Sequence, residues 1–233
     1  MDCIILAGGL GTRLRTVTND KLPKCMAPVN GKPFLHYLFM YVQQQKAERV
    51  ILSLGHRHET ILDWVKNEDW DFKIDHVIEP EPLGTGGAIQ LAMSKTKNEN
   101  AVVLNGDTLF LCDLKTLYQF HLEKSAGATL SLKNMQEYER YGSVLVDEKD
   151  TIQTFEEKQY KKEGAINAGT YVLNKQFLLD KNLPEKFSLE KDYFEAFVAE
   201  SAFFAKRFDN YFIDIGIPED YERAQQDFLT LFA

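Results

Sequence analysis

The sequence predicts an α/β protein, a single domain built on a largely parallel sheet with helices on both faces. Short apolar runs at residues 3–7, 49–54 and 101–104 each end at Gly8, Gly55 or Asn105, as buried strands do. Helical stripes lie between them, such as Phe34, Leu35, Leu38, Tyr41 and Val42. Strand and helix thus alternate, and βαβ crossovers produce parallel sheets covered on both sides.

Taken in order, the strand at residues 3–7 leads through a cationic loop to a helix at 34–45. The run 49–54 precedes a helix at 59–65, where Ile61, Leu62 and Val65 share a face. Alternation of Phe72, Ile74, His76 and Ile78 predicts a strand, and a glycine turn at 83–87 opens a helix at 87–93. The strand 101–104 stops at Asn105-Gly106-Asp107, and Asp113 is a suitable N-cap for a helix at 113–124. From Ala128 the pattern changes, because 129–132, 143–146 and 152–155 read as strands without long helices between them. A strand at 165–173, a helix at 189–199 and a strand at 202–208 follow, and Pro218 opens a last helix over 219–231.

Acidic residues number 35 against 27 Lys plus Arg in 233 residues, a net charge of −8 that disfavours nucleic acid and anionic membrane as partners. Cys3, Cys25 and Cys112 have no C-x-x-C spacing, so neither a disulfide framework nor a zinc site is expected. Cys25 lies beside Lys24, where a nearby cation would activate a thiol, but a structural role is the favoured reading. No leader and no membrane-spanning run is visible, which predicts a cytoplasmic protein. The five histidines show no metal-ligand spacing. His56-Arg57-His58 is their only cluster, at a βα turn where it would line a rim.

Residues 1–34 carry the strongest functional signal. A buried strand including Leu6 and Ala7 opens into Gly8, Gly9 and Gly11, whose bare backbone lets N–H groups approach an anion. The cations Arg13, Arg15, Lys21 and Lys24 follow. No Gly-Lys-Ser/Thr occurs, which excludes a P-loop, and Leu14 stands where a dinucleotide fingerprint needs its third glycine.

The order GG-x-G-T-R-L, then P-K, then P-x-x-G-K-P resembles the signature of the sugar-phosphate nucleotidyltransferases. The resemblance extends from Met1 to about Tyr221 and implies the Rossmann-like nucleotide-diphospho-sugar transferase fold. It divides the single domain, residues 1–233, into a nucleotide-binding half to about residue 125 and a sugar-binding half beyond. It also implies that Gly8, Gly9, Gly11 and Thr12 cradle a nucleoside triphosphate, that Arg13 holds the β- and γ-phosphates, and that Lys24 holds the α-phosphate.

Asp107 follows a buried strand, and Gly106 beside it leaves room for a ligand; a turn aspartate is otherwise most often a cap. Asp214 is a carboxylate in an otherwise apolar stretch, 212–217, which is costly unless a cation meets it. Mg²⁺ takes such oxygen ligands together with substrate phosphates, and the resemblance assigns both aspartates to it. It further assigns Gly84 and Thr85, in L-G-T, to the nucleobase, and Tyr141-Gly142, Glu157-Lys158 and Asn167 with Gly169 to the sugar phosphate. Gln159 departs from the Pro common in the family's E-K-P. Glu79 and Glu81 would accept hydrogen bonds from guanine N1–H and N2–H₂, where uracil O4 offers no proton, although solvated surface charge is their ordinary role. Within the family, the short chain with residues 82–89 (PLGTGGAI) and 105–108 (NGDT) resembles members that use GTP and a heptose 1-phosphate. Mannose 1-phosphate is the next acceptor, and UTP or dTTP with glucose 1-phosphate a further alternative. A homo-oligomer is compatible with the resemblance, although no interface stripe marks the chain. A non-catalytic nucleotide-sugar sensor would be expected to lose these cations or carboxylates, and Arg13, Lys24, Asp107, Lys158 and Asp214 are all present.

Overall fold

The computed structural model describes residues 1–9, 22–156, 158–200 and 202–232. The first half runs β1 (Asp2–Leu6), a small ribbon of β2 (Pro28–Val29) and β3 (Lys32–Pro33), α1 (Phe34–Gln44), β4 (Arg49–Leu54) and α2 (His58–Val65). It continues through β5 (Lys73–Ile78), α3 (Gly84–Met93), β6 (Asn100–Asn105), β7 (Thr108–Phe110) and α4 (Leu114–Glu123). The second half adds β8 (Ala128–Tyr138), β9 (Ser143–Val146), β10 (Ile152–Glu156), β11 (Lys161–Asn174) and α5 (Lys175–Leu179). After a π-helical segment, Leu189–Glu195, come β12 (Phe203–Phe208), β13 (Phe212–Asp214) and α6 (Pro218–Leu231).

Nine strands form one mixed sheet in the order β10-β9-β11-β6-β1-β4-β5, with β8 and β12 joined through β11. The β6-β1-β4-β5 block is parallel, and β11 enters antiparallel to β6, β8 and β9. The expected change from parallel to antiparallel pairing is therefore present, and β11 is its seam. Side chains alternate across the sheet. Cys3, Ile5, Val50, Leu52, Val102 and Leu104 join a core with α1 and α6, whereas Ile4, Ile51 and Val103 join a second core with α3 and the π-helical segment. Both faces are covered, which is why β1, β4 and β6 carry continuous apolar runs rather than alternating ones.

Asp113 caps α4 by accepting from the Thr116 N–H at 2.8 Å, and Pro218 opens α6 with Glu219 and Asp220 in its first turn, where the helix dipole favours negative charge. Two expectations are corrected. The glycines of residues 84–87 form the first turn of α3 instead of preceding it. The predicted helix at 189–199 is a π-helical segment over its first seven residues, with Leu189 and Phe194, five apart, both buried.

Candidate active site

Four parallel strands present their carboxyl ends to one cavity of ≈ 1000 Å³. Its wall takes Leu6, Ala7, Gly8 and Gly9 after β1, residues 55–59 after β4, residues 78–82 after β5, and Asn105, Gly106 and Asp107 after β6. Gly84 and Thr85 of α3 and Lys24 complete it. A second cavity of ≈ 610 Å³ opens over the antiparallel half. Tyr141, Gly142, Lys158, Asn167, Gly169 and Asp214 line it, and Asn105 lines both cavities. Every expected site residue within the described residues therefore falls on one of two adjoining walls. Gly11, Thr12, Arg13, Arg15, Lys21 and Glu157 lie outside the described residues.

The two cavities meet at a charged cluster. β7 and β13 pair antiparallel with Asp214 opposite Thr108, and the Ile215 N–H donates to the Asp107 carbonyl at 3.0 Å. This short ribbon brings together two aspartates 107 residues apart in sequence. Lys24, on the 3₁₀ turn Lys24–Met26, is only 8% exposed, and its Nζ donates to Asp107 Oδ2 and lies 3.5 Å from Asp214 Oδ1. A buried ammonium needs such partners. Asp214 Oδ1 also accepts the Gly216 N–H at 2.8 Å, which fixes that carboxylate's direction.

On the wall of the smaller cavity, Asn167 Oδ1 accepts the Gly169 N–H at 3.0 Å, and its Nδ2 donates to Tyr171 Oη at 3.0 Å. One amide proton is left over, since the side chain has two to give. Tyr141 packs edge-on against Phe212, and burial, then the Asp214 charge, pushes its phenol up to about 12. Lys158 is exposed on this wall, while neighbouring Glu156 is ion-paired with Lys161.

Cys25 is buried, in keeping with its favoured structural reading: desolvation and Asp107 push its thiol up to about 12, so adjacent Lys24 does not activate it. Gly106 does not open space for a ligand: a Cβ there would lie 2.3 Å from the Leu6 carbonyl, and its own N–H donates to that carbonyl at 2.9 Å. Gly84, at φ +75°, is required by the protein itself, because a Cβ would sit 2.5 Å from the Phe187 carbonyl. Thr85 is likewise occupied. Its hydroxyl donates to Glu190 at 2.8 Å and accepts the Leu189 N–H at 2.9 Å, fastening α3 to the π-helical segment. Glu79 is half-buried rather than solvated, with desolvation raising its carboxyl above the usual range.

Sequence reasoning missed Asn105 as the shared wall, Glu190 on the wall of the smaller cavity, and Asp220, which is buried and ion-paired with Arg140 and Arg223. Asn105 was discoverable as the last residue of a buried strand beside Asp107. Glu190 lies in residues 188–192 (SLEKD), which read as an ordinary charged helix face.

A family model described as nucleotidyl transferase matches residues 2–230. The chain belongs to the nucleotidyl transferase family. This nucleotidyl transferase is 49% identical over 227 residues to the D-glycero-alpha-D-manno-heptose 1-phosphate guanylyltransferase of Aneurinibacillus thermoaerophilus, covering 97% of this chain and 98% of the relative. It is 48% identical over 225 residues to the protein of the same name from Campylobacter jejuni subsp. jejuni serotype O:2, covering 95% and 97%. Among solved structures it is similar to HddC from Yersinia pseudotuberculosis, described as complexed with GMP-PN, with a TM-score of 0.86 and 39% identity over 97% of this chain and 99% of that one. Fold and class therefore agree: a nucleotidyl transferase on the nucleotide-diphospho-sugar transferase fold.

Proposed function

We propose that this nucleotidyl transferase moves GMP from GTP to D-glycero-α-D-manno-heptose 1-phosphate, giving GDP-heptose and pyrophosphate. The observation that carries the reading is the junction of two cavities at Lys24, Asp107 and Asp214, in a chain almost half identical to guanylyltransferases of that acceptor over nearly their whole length. GTP occupies the larger cavity, with its phosphates at the β1 and β6 ends and its base toward β4 and β5. The sugar phosphate occupies the smaller cavity, against Tyr141, Gly142, Lys158, Asn167 and Gly169. The halves before and after about residue 125 divide these tasks.

The acceptor's phosphate oxygen is already anionic, so no general base is needed. It bonds to the α-phosphorus as the bond from that phosphorus to the β-phosphate's bridging oxygen breaks, and pyrophosphate leaves. Catalysis then consists of positioning and charge neutralisation. Lys24, held where the cavities meet, neutralises the α-phosphate, with Arg13 on the β- and γ-phosphates and Lys158 on the acceptor phosphate. Glu157 and Asn167 orient the sugar hydroxyls. The two aspartates converge on a single cation, a hard-oxygen donor set that fits Mg²⁺, whose other ligands are commonly phosphate oxygens and water. Asp107 and Asp214 would hold it, and it would supply further neutralisation of the phosphates.

Among the described residues no helix is long and apolar enough to cross a membrane. The three free, buried cysteines support a reducing, cytoplasmic setting.

Pyrophosphate release in a grid of GTP, ATP, CTP, UTP and dTTP against the 1-phosphates of D-glycero-D-manno-heptose, mannose and glucose tests the reading. Release is expected with GTP and the heptose phosphate. Preference for mannose 1-phosphate would overturn the acceptor, preference for a pyrimidine the base, and silence throughout with tight binding of a nucleotide sugar the catalytic role.

A further inference from the structure

The nucleotide cavity has a polar end that the reaction does not use. Its reacting end is at Asp107, after β6, and β5 lies three strands away, roughly 14 Å at the usual inter-strand spacing. That distance carries a nucleotide from its α-phosphate to its base. With the α-phosphate at Asp107, the base would lie beside the groups around the β4 and β5 ends.

Glu79 is one of them. Its Oε2 accepts the Leu83 N–H at 3.1 Å, and its Oε1 lies so close to Gly8 that a Cβ there would come within 2.6 Å. A carboxylate held in this way is an acceptor, suited to guanine N1–H and N2–H₂. The adjoining edge of guanine presents O6 and N7, which are both acceptors and call for a donor, most effectively a forked one.

Arg57 supplies such a group. It lies on the cavity wall, half-buried, in the turn directly after β4. β4 and β5 pair with Leu54 opposite Ile78, and the Glu79 N–H donates to the Leu54 carbonyl at 2.7 Å, so the two loops are immediate neighbours. Arg57 Nε donates to the exposed His56 Nε2 at 3.1 Å, which leaves the two terminal amino groups of the guanidinium for a ligand. The backbone of Arg57 is left-handed, at φ 59° and ψ 33°, a conformation that a long side chain adopts at a cost and that Asn adopts readily. Among the described residues the Arg57 side chain has His56 as its hydrogen-bond partner and forms no ion pair, so the described contacts do not require arginine for folding. Lys24, the other described cation of this wall besides the histidines, is engaged by Asp107 and Asp214.

We infer that Arg57 reads the O6/N7 edge of guanine while Glu79 reads the N1/N2 edge, so that neighbouring loops share the base. The inference rests on the proposed use of GTP.

The test compares wild type with Arg57→Asn, using GTP, 7-deaza-GTP and ATP, and follows kcat/KM for pyrophosphate release together with thermal unfolding. In wild type, replacing N7 by carbon should cost several-fold. Arg57→Asn should fold at least as stably, lose on the order of 10- to 100-fold with GTP, and become indifferent to the N7 change. Discrimination against ATP should narrow in the same variant. An unchanged kcat/KM with GTP, or an N7 penalty that persists in the variant, would overturn the assignment, as would a wild type blind to N7. The wild-type comparison holds even if the variant misfolds. If another triphosphate is used in place of GTP, the guanine reading itself fails, which is a different result from GTP turnover that ignores Arg57.

Discussion

Lys24 and His121 show two ways in which this fold treats a buried base. Lys24 is met by opposite charge, because the β7–β13 ribbon delivers Asp107 and Asp214 to it. His121, 1% exposed, is held neutral: Asn100 Oδ1 already accepts from Asn174 Nδ2 and takes His121 Nε2–H at 3.0 Å, so Nδ1 accepts from the Thr129 hydroxyl at 2.9 Å. Desolvation lowers its imidazole from 6.5 to about 4. The unfolded chain therefore binds the extra proton between those values, and the stabilising effect, complete above pH 6.5, is lost as pH falls toward 4. Urea unfolding should show a loss of about 2 kcal/mol between pH 7.5 and pH 5 that is absent in His121→Asn. Equal pH slopes in the two proteins would refute this account of the histidine. The lysine was legible in the sequence because it falls in a motif. The histidine was not, since an isolated His on a helix looks the same whether idle or buried.

At the scale of elements, the strands at 49–54 and 143–146 were legible to the residue, because continuous apolar runs have sharp ends. The β7–β13 ribbon was not. Strands of three residues are too short for a periodicity to show, yet this ribbon joins the two aspartates. In the sequence the glycines of residues 84–87 look like a turn shaped for a ligand, and in the fold they also meet the protein's own chain. Phe187 and Glu185 pack so closely on this first turn of α3 that Cβ atoms at Gly84, Gly86 and Gly87 would come within 2.5, 2.0 and 2.2 Å of them. A long-range contact of that kind leaves no local trace. Gly84→Ala should destabilise the protein by about 2 kcal/mol, from the left-handed backbone alone. Calorimetry would show a lower Tm, and a change under 0.5 kcal/mol would mean that the turn relaxes freely.

At the scale of the whole molecule, the sheet sets out the reaction. Its parallel block opens one cavity, its antiparallel seam another, and Asn105 stands on both walls. The alternating pattern of the first half and the strand-rich second half made this division legible. The meeting point required β11 to lie antiparallel beside β6, a pairing that no motif encodes. The central claim is that the cluster where the cavities join is the reacting centre. Pyrophosphate release from GTP and heptose 1-phosphate by Asp214→Asn, in the presence of Mg²⁺, tests it most directly. A fall in kcat of about 100-fold or more, with the fold intact, is predicted. Turnover within twofold of wild type would contradict it and move the chemistry away from the Lys24 cluster.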